Sequence, residues 1–380
     1  MFRERYRLKL MAQQQGGLYR NPPVIERREG KYLFSKGRRL INFASNDYLG
    51  LGASNVLRCK VADNFARFGS SSSSSRLVAG NFERVNMAEK MFADFFGYPA
   101  ALFFPSGYQA NVGVLATLFE SGDTVVFDKH IHASSVKGLA LSNALRLGYN
   151  HSDFGHLEKR LQKSAAQAGV VTESLFSMDG DCLDVASLAA LKRKYGFFSV
   201  VDEAHAFGVL GIDGRGVASG VADVAVGTFG KSLGLFGAFA LLSEDLKAYL
   251  LNFSSPQIYT TTLPEAHAAS ALDALEMAAA ADDGRRHLAE LSAHMRQALT
   301  REGFDVSGDA HILAIQIGEE QQALETAHGL VTRGIFVLPA RFPTVPLQKA
   351  ILRISLTALH QPEDLDFFVR TLKEVHAPHC

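Results

Sequence analysis

Short runs that are apolar on both faces recur between residues 101 and 242, separated by stretches with other patterning. They are Ala101–Phe104, Thr124–Phe127, Gly169–Thr172, Phe197–Val201, Val224–Gly227 and Gly237–Leu242. A strand with no polar face must be covered on both sides, and a parallel sheet flanked by helices achieves this. One crossover can be read in full. Asp184 can cap a helix in which Val185, Leu188, Ala189 and Leu191 fall at helical spacing. Lys192, Arg193 and Lys194 suit its negative end, Gly196 stops it, and the strand Phe197–Val201 follows at once. A β-α-β unit of this kind makes the sheet largely parallel.

The flanking segments differ. Residues 1–45 are polar and rich in Arg and Gln, and read as an N-terminal arm with a helix and a short hairpin. Residues 46–275 read as the large domain. From Pro264 the pattern changes to an Ala-rich helix over Glu265–Ala281, and residues 276–380 read as a small α+β domain. That domain closes with a strand at Leu352–Leu356 and a helix from Pro362 to Val375. On composition alone, Ser70–Ser75 reads as a flexible loop.

Composition removes several function classes. With 39 basic and 39 acidic side chains, no global charge favours nucleic acid or an anionic membrane. No apolar run reaches the roughly 18 residues of a membrane span. Cys59, Cys182 and Cys380 are too scattered for a disulfide framework or a metal cluster, and the N-terminus lacks an apolar signal core. The expectation is a cytoplasmic protein without metal.

Three segments carry chemistry. Val200-Val201-Asp202-Glu203-Ala204-His205 is a strand ending in acidic and imidazole groups, where α/β folds place their sites. Gly227-Thr228-Phe229-Gly230-Lys231-Ser232 also follows a strand, and Phe104-Pro105-Ser106-Gly107-Tyr108-Gln109-Ala110-Asn111 leads from a strand into a helix. The second segment nearly spells a nucleotide-binding P-loop, but Ala225 stands at the first glycine position and the acidic strand precedes the lysine. His130 and His132 form a His-x-His pair without a third ligand at suggestive spacing.

A pyridoxal 5′-phosphate site needs a lysine, a carboxylate against the ring nitrogen, an anion cradle at a helix N-terminus and a flat group on the ring. Lys231, Asp202, Ser106-Gly107-Tyr108 with Thr228, and His132 fill those roles jointly. Singly, each has an ordinary reading: a loop lysine, a helix cap, a surface histidine.

The chain resembles the α-oxoamine synthases along nearly its whole length. The resemblance rests on Ser45-Asn46-Asp47-Tyr48-Leu49-Gly50, Ser106-Gly107-Tyr108, His132-Ala133-Ser134 and Ser177-Met178-Asp179-Gly180-Asp181. It continues through Asp202-Glu203-Ala204-His205, Thr228-Phe229-Gly230-Lys231, Tyr259-Thr260-Thr261-Thr262-Leu263-Pro264 and Pro343-Thr344-Val345-Pro346. It implies the fold type I architecture: α/β, with a mostly parallel seven-stranded sheet and a small C-terminal domain. It also implies condensation of an amino acid with an acyl thioester and loss of carbon dioxide.

Carried onto this chain, the resemblance makes Lys231 the Schiff-base lysine and places Asp202 at the ring nitrogen. Ser177 and His205 would contact the ring hydroxyl, and His132 would stack on the ring. Ser106, Gly107, Tyr108 and Thr228 would hold the phosphate. Thr261 would reach the cofactor of a second subunit in a homodimer with shared sites. Asn46 and Arg353 would bind the amino-acid carboxylate, and Arg20 and Thr344 would line the acyl side. The expected substrates are L-alanine and a pimeloyl thioester, with glycine or serine and another acyl group as the alternative. Ser70–Ser75 departs from the family's glycine-rich stretch, Val85 stands where a histidine is usual, and Pro264-Glu265 replaces a double proline.

Overall fold

The computed structural model describes residues 2–164 and 168–376. Cys380 lies outside the described residues. The chain packs as two compact units. One comprises residues 1–48, 178–181 and 286–380, and the other residues 49–177 and 182–285.

In chain order, the first unit begins with α1 (Phe2–Gln15) and the strands β1 (Arg27–Glu29), β2 (Tyr32–Ser35) and β3 (Arg38–Asn42). The second unit follows with α2 (Asn55–Phe68), α3 (Glu83–Phe96), β4 (Ala100–Phe104), α4 (Gly107–Leu118), β5 (Thr124–Asp128) and α5 (Ala133–Leu141). It continues with β6 (Leu145–Tyr149), α6 (Phe154–Leu161), β7 (Ala168–Glu173), α7 (Val185–Tyr195), β8 (Phe198–Asp202), β9 (Val224–Thr228) and β10 (Ala238–Leu242). The helices α8 (Glu244–Phe253), α9 (Ser255–Ile258) and α10 (Glu265–Ala279) complete it. The chain then returns to the first unit through α11 (Asp282–Arg301), β11 (Val306–Ser307), β12 (Ile312–Gly318), α12 (Glu320–Thr332), β13 (Ile335–Phe336), β14 (Leu338–Ala340), β15 (Ala350–Ser355) and α13 (Pro362–His376).

The second unit is built on a seven-stranded sheet of order β4-β10-β9-β8-β7-β5-β6. The strands from β6 to β9 are parallel, and β10 runs antiparallel to both β9 and β4. Alternate residues enter opposite cores. Phe103, Val201 and Phe239 join a cluster with Phe92, Phe96, Phe207 and Phe229 on one face. Leu102, Phe104 and Val200 join Val114, Leu115 and Val125 on the other. The crossover read from sequence forms as expected: Asp184 caps α7 by accepting from the Ser187 N–H, and Gly196 ends it with φ 67°. β6 has no counterpart among the expected runs, because Leu145 and Arg146 of this edge strand are exposed.

Edge strand β4 would present unpaired backbone groups at Phe103. Glu89 of α3 accepts the Phe103 N–H at 2.8 Å, and Gln257 of α9 donates to its carbonyl at 2.7 Å. The Glu89 carboxylate is fully buried, paired with Arg76 and, at 2.9 Å, with Lys247 of α8. The serine stretch is anchored rather than loose: the Ser72 hydroxyl donates to the Thr262 carbonyl at 2.7 Å, and the Thr262 N–H reaches the Ser74 carbonyl at 3.0 Å.

The first unit holds two small sheets, β1-β2-β3-β13 and β11-β12-β15-β14. Among the described residues, no helix is long and apolar enough to cross a membrane.

Glu89→Ala strands two cations that the carboxylate compensates, and should cost about 3–5 kcal/mol of stability. Denaturant unfolding of the variant measures it, and a loss below about 1 kcal/mol would show that the edge does not depend on this residue.

Candidate active site

Parallel pairing sets Glu173 of β7 beside Asp202 of β8. Both end their strands, so their side chains stand at the carboxyl edge of the sheet, where the backbone leaves off and loops can converge. Asp202 accepts the Ala204 N–H on Oδ1 at 2.9 Å and the Asn111 amide on Oδ2 at 2.7 Å. Two donors from different elements leave its carboxylate little freedom. A carboxylate held this way can face a protonated ring nitrogen.

His132 caps α5. Its backbone N–H is bound by the Glu173 carboxyl. Its Nδ1 lies 2.6 Å from the Ser134 hydroxyl and also accepts the Ser134 N–H at 3.3 Å. Desolvation lowers the pKa of His132, Asp202 opposes this, and the Lys231 cation adds to the lowering. Burial lifts the Glu173 carboxyl well above the usual carboxylate range, and the neighbouring Asp202 lifts it further. Lys231 thus acts electrostatically on both groups from the turn after β9, and is itself half-buried.

Helix α4 begins where β4 ends. Its cap Ser106 accepts the Gln109 N–H at 3.2 Å. The first N–H groups of a helix have no partner within it, so Gly107 and Tyr108 offer donors at the positive end of the helix. A Cβ on Gly107 would stand 3.9 Å from Thr228, which places the helix start beside the strand end. The Thr228 hydroxyl donates to the Gly237 carbonyl at 2.9 Å and accepts the Gly230 N–H at 3.1 Å, which fixes the turn leading to Lys231. Lysine, carboxylate, imidazole and helix N-terminus form a donor set that fits pyridoxal 5′-phosphate.

The other expected residues distribute as follows. His205 is buried and Ser177 half-buried, both in the second unit. Thr261 is exposed, next to the anchored Thr262. Asn46 and Arg353 come together in the first unit, with the Arg353 guanidinium 3.3 Å from Asn46 Oδ1 and 2.5 Å from the Ser355 hydroxyl. Tyr48 donates to the same Asn46 oxygen at 3.1 Å. Burial pushes the Tyr48 phenol up to about 12, against the lowering effect of Arg353. Arg20 lines a cavity of about 370 Å³ with Leu10, Leu18, Tyr19 and Pro343, next in sequence to Thr344.

Sequence reasoning gave no role to Asn111 and Ser134, which lie within the quoted segments, and did not single out Glu173. Asn111 was visible as an amide in an otherwise apolar helix stretch, one turn beyond Gly107. Ser134 was visible only as part of the His132-Ala133-Ser134 motif, and Glu173 had no signal of its own.

The sequence pattern of the class I and II aminotransferases matches residues 38–372. The chain belongs to that family. Within this aminotransferase family it is an α-oxoamine synthase. It is 39% identical over 375 residues to 8-amino-7-oxononanoate synthase of Chlorobaculum parvum, covering 94% of this chain and 95% of the relative. The enzyme of the same name from Anaeromyxobacter dehalogenans is 41% identical over 366 residues, covering 94% and 92%. Among solved structures, serine palmitoyltransferase of Sphingomonas wittichii superposes with a TM-score of 0.91 at 30% identity, covering 97% and 96%. The Francisella tularensis 8-amino-7-oxononanoate synthase gives 0.78 at 29% identity, covering 88% and 97%.

Glu203, next to Asp202, accepts the Ala218 N–H at 2.7 Å and the Val217 N–H at 3.1 Å. Burial raises its pKa from 4.5 to about 7. The folded state therefore holds this proton more tightly than the unfolded chain. Its contribution is complete below about pH 4.5 and declines as pH rises through about 7, a change on the order of 3 kcal/mol. Glu203→Gln should flatten the fall of stability with pH over that window. Melting curves across it would show the flattening, and an unchanged slope would refute the assignment.

Proposed function

We propose that this chain condenses L-alanine with a pimeloyl thioester, releasing carbon dioxide and the carrier thiol and giving 8-amino-7-oxononanoate for biotin biosynthesis. The observation that carries the reading is full-length likeness to enzymes of that name, joined to a Lys231–Asp202–His132 constellation at the carboxyl edge of the sheet. Pyridoxal 5′-phosphate, when bound, supplies the electron sink that makes the α-carbon of the amino acid acidic.

The chain's own groups do the rest. Lys231 would hold the cofactor through its Nζ, and the same amine, once free, would take the α-proton of the amino acid and later return one. Asp202 holds the ring nitrogen protonated, its orientation secured by Asn111 and Ala204. Gly107 and Tyr108 N–H groups receive the phosphate, with Ser106 and Thr228 shaping the cradle. Ser177 and His205 contact the ring hydroxyl. His132 covers the ring and offers a ring N–H to the oxyanion that forms when the α-carbon attacks the thioester carbonyl. Arg353 and Asn46 bind the amino-acid carboxylate until it leaves as carbon dioxide. Arg20 and Thr344 meet the acyl group, and an arginine there favours a chain that itself ends in a carboxylate. Thr261 is exposed and serves the cofactor of a second subunit, so the working form is a homodimer in the cytoplasm.

Thiol release should be measured with pimeloyl-CoA and each of L-alanine, glycine and L-serine. The reading expects turnover with L-alanine to exceed the others by at least about tenfold, the scale on which a pocket reads one methyl group. Preference for glycine or serine would move the chain to a sister synthase. Lys231→Ala should abolish turnover while retaining the fold, and Asp202→Asn should slow exchange of the alanine α-proton by roughly two orders of magnitude or more. Normal exchange in Asp202→Asn would sink the role given to that carboxylate.

A further inference from the structure

Two buried side chains connect Asp202 to His132. The Asn111 amide nitrogen donates to Asp202 Oδ2 at 2.7 Å and to the Ser134 hydroxyl at 3.0 Å. The Ser134 hydroxyl in turn lies 2.6 Å from His132 Nδ1. Asn111 is 4% exposed and Ser134 0%, so water is poorly placed to replace either link.

The hydrogens at the start of this chain are directed by Asp202, and those at its end by the Ser134 backbone N–H. A carboxylate only accepts, so the Asn111 amide must turn its nitrogen, not its oxygen, toward Asp202. The second N–H of the same nitrogen is then committed to Ser134 Oγ. That hydroxyl accepts from Asn111 and keeps its own hydrogen for His132 Nδ1, 2.6 Å away. The Ser134 backbone N–H converges on the same ring nitrogen at 3.3 Å. A ring nitrogen that accepts two hydrogen bonds carries no proton. Neutral His132 must therefore be protonated on Nε2.

We propose that Asn111 and Ser134 are positioning residues that hold Asp202 and His132 in one hydrogen-bond relay and fix His132 as the Nε2–H tautomer. The relay rests on the function reading only for its use: Nε2–H is then the donor available to the reacting acyl oxygen, and Asp202 the carboxylate at the cofactor ring. The relay's geometry is built into the helix packing. A Cβ on Gly138 of α5 would meet the Asn111 carbonyl of α4 at 2.8 Å and Leu115 Cβ at 2.9 Å. Glycine there permits the close approach that lets an α4 amide reach the first turn of α5. The lowered pKa of His132 agrees with a ring kept neutral by its surroundings.

The test uses the full chain labelled with [15N]histidine, first without cofactor. Long-range proton–nitrogen correlations report the tautomer of each ring, and loss of one signal in His132→Gln assigns His132. Wild type should show the Nε2–H form alone. Asn111→Ala, which removes none of the hydrogen bonds of His132 itself, should produce a mixture of tautomers, and Ser134→Ala, which leaves Nδ1 only the long backbone N–H contact at 3.3 Å, a larger one. Both should weaken pyridoxal phosphate binding by about tenfold, the effect of one lost hydrogen bond to a charged network. The double variant should also be near tenfold rather than a hundredfold, because one relay is broken twice. A pure Nε2–H signal in folded Asn111→Ala and Ser134→Ala would overturn the relay, as would effects on binding that multiply. Should Asn111→Ala fail to fold by circular dichroism, Ser134→Ala decides alone. Failure of wild type to bind pyridoxal phosphate would sink the cofactor reading, and the tautomer of the cofactor-free protein would still decide the relay.

Discussion

The site depends on the in-register parallel pairing of β7, β8 and β9. That pairing aligns strand ends rather than strand middles, so Glu173 and Asp202 finish side by side while β9 delivers Thr228 and the turn to Lys231. Two carboxyl groups forced together cannot share the same environment. Glu173 is sealed off from water and its pKa rises well above the carboxylate range, with Asp202 contributing to the rise. Asp202 receives two hydrogen-bond donors instead. The same sheet edge thus differentiates two chemically similar acids, one favouring the protonated form and one outfitted as an acceptor.

Such differentiation needs a rigid base, and the second unit supplies it in two ways. Rings of Phe92, Phe96, Phe103, Phe207, Phe229 and Phe239 pack below one face, with Phe92 and Phe239 centroids 5.0 Å apart and Phe207 and Phe96 4.4 Å apart. Phe229 belongs both to this cluster and to the turn carrying Lys231, so the lysine's backbone is anchored in the core one step away. Polar clamps then fix the loops. Glu203 binds the Val217 and Ala218 N–H groups, and a Cβ on Gly216 would meet its carboxylate at 2.7 Å with φ at 80°. No side chain but hydrogen suits that position.

Strands buried on both faces were legible because burial itself demands the apolar run. Edge strand β6 was not, since Leu145 and Arg146 face solvent and the signal dissolves there. Ser70–Ser75 misled for a related reason. Composition records that serines can be mobile, whereas the Thr262 backbone, far along the chain, holds Ser72 and Ser74 in place. The lysine, the strand-end acid and the helix start were legible because each sits at a fixed offset from a strand. Asn111, Ser134 and Glu173 matter through hydrogen bonds to residues distant in sequence, and no local pattern encodes such partners.

The two units carry different parts of the chemistry. Groups fit for proton transfer and charge delocalisation lie on the second, and the Arg353–Asn46–Tyr48 cluster lies on the first. Tyr48 is buried with its phenol held protonated, so it stays a donor to Asn46 throughout the ordinary pH range. With Asn46 Oδ1 occupied by Tyr48 and Arg353, its amide nitrogen faces away from them. Arginine and amide together present only donors, which suits a carboxylate and rejects a cation. Under the proposed role of this cluster, it would recognise amino acids as a class, because every candidate carries that carboxylate. Under the same proposed roles, choice among alanine, glycine and serine would fall to groups near the side chain, and choice of acyl donor to the surroundings of Arg20.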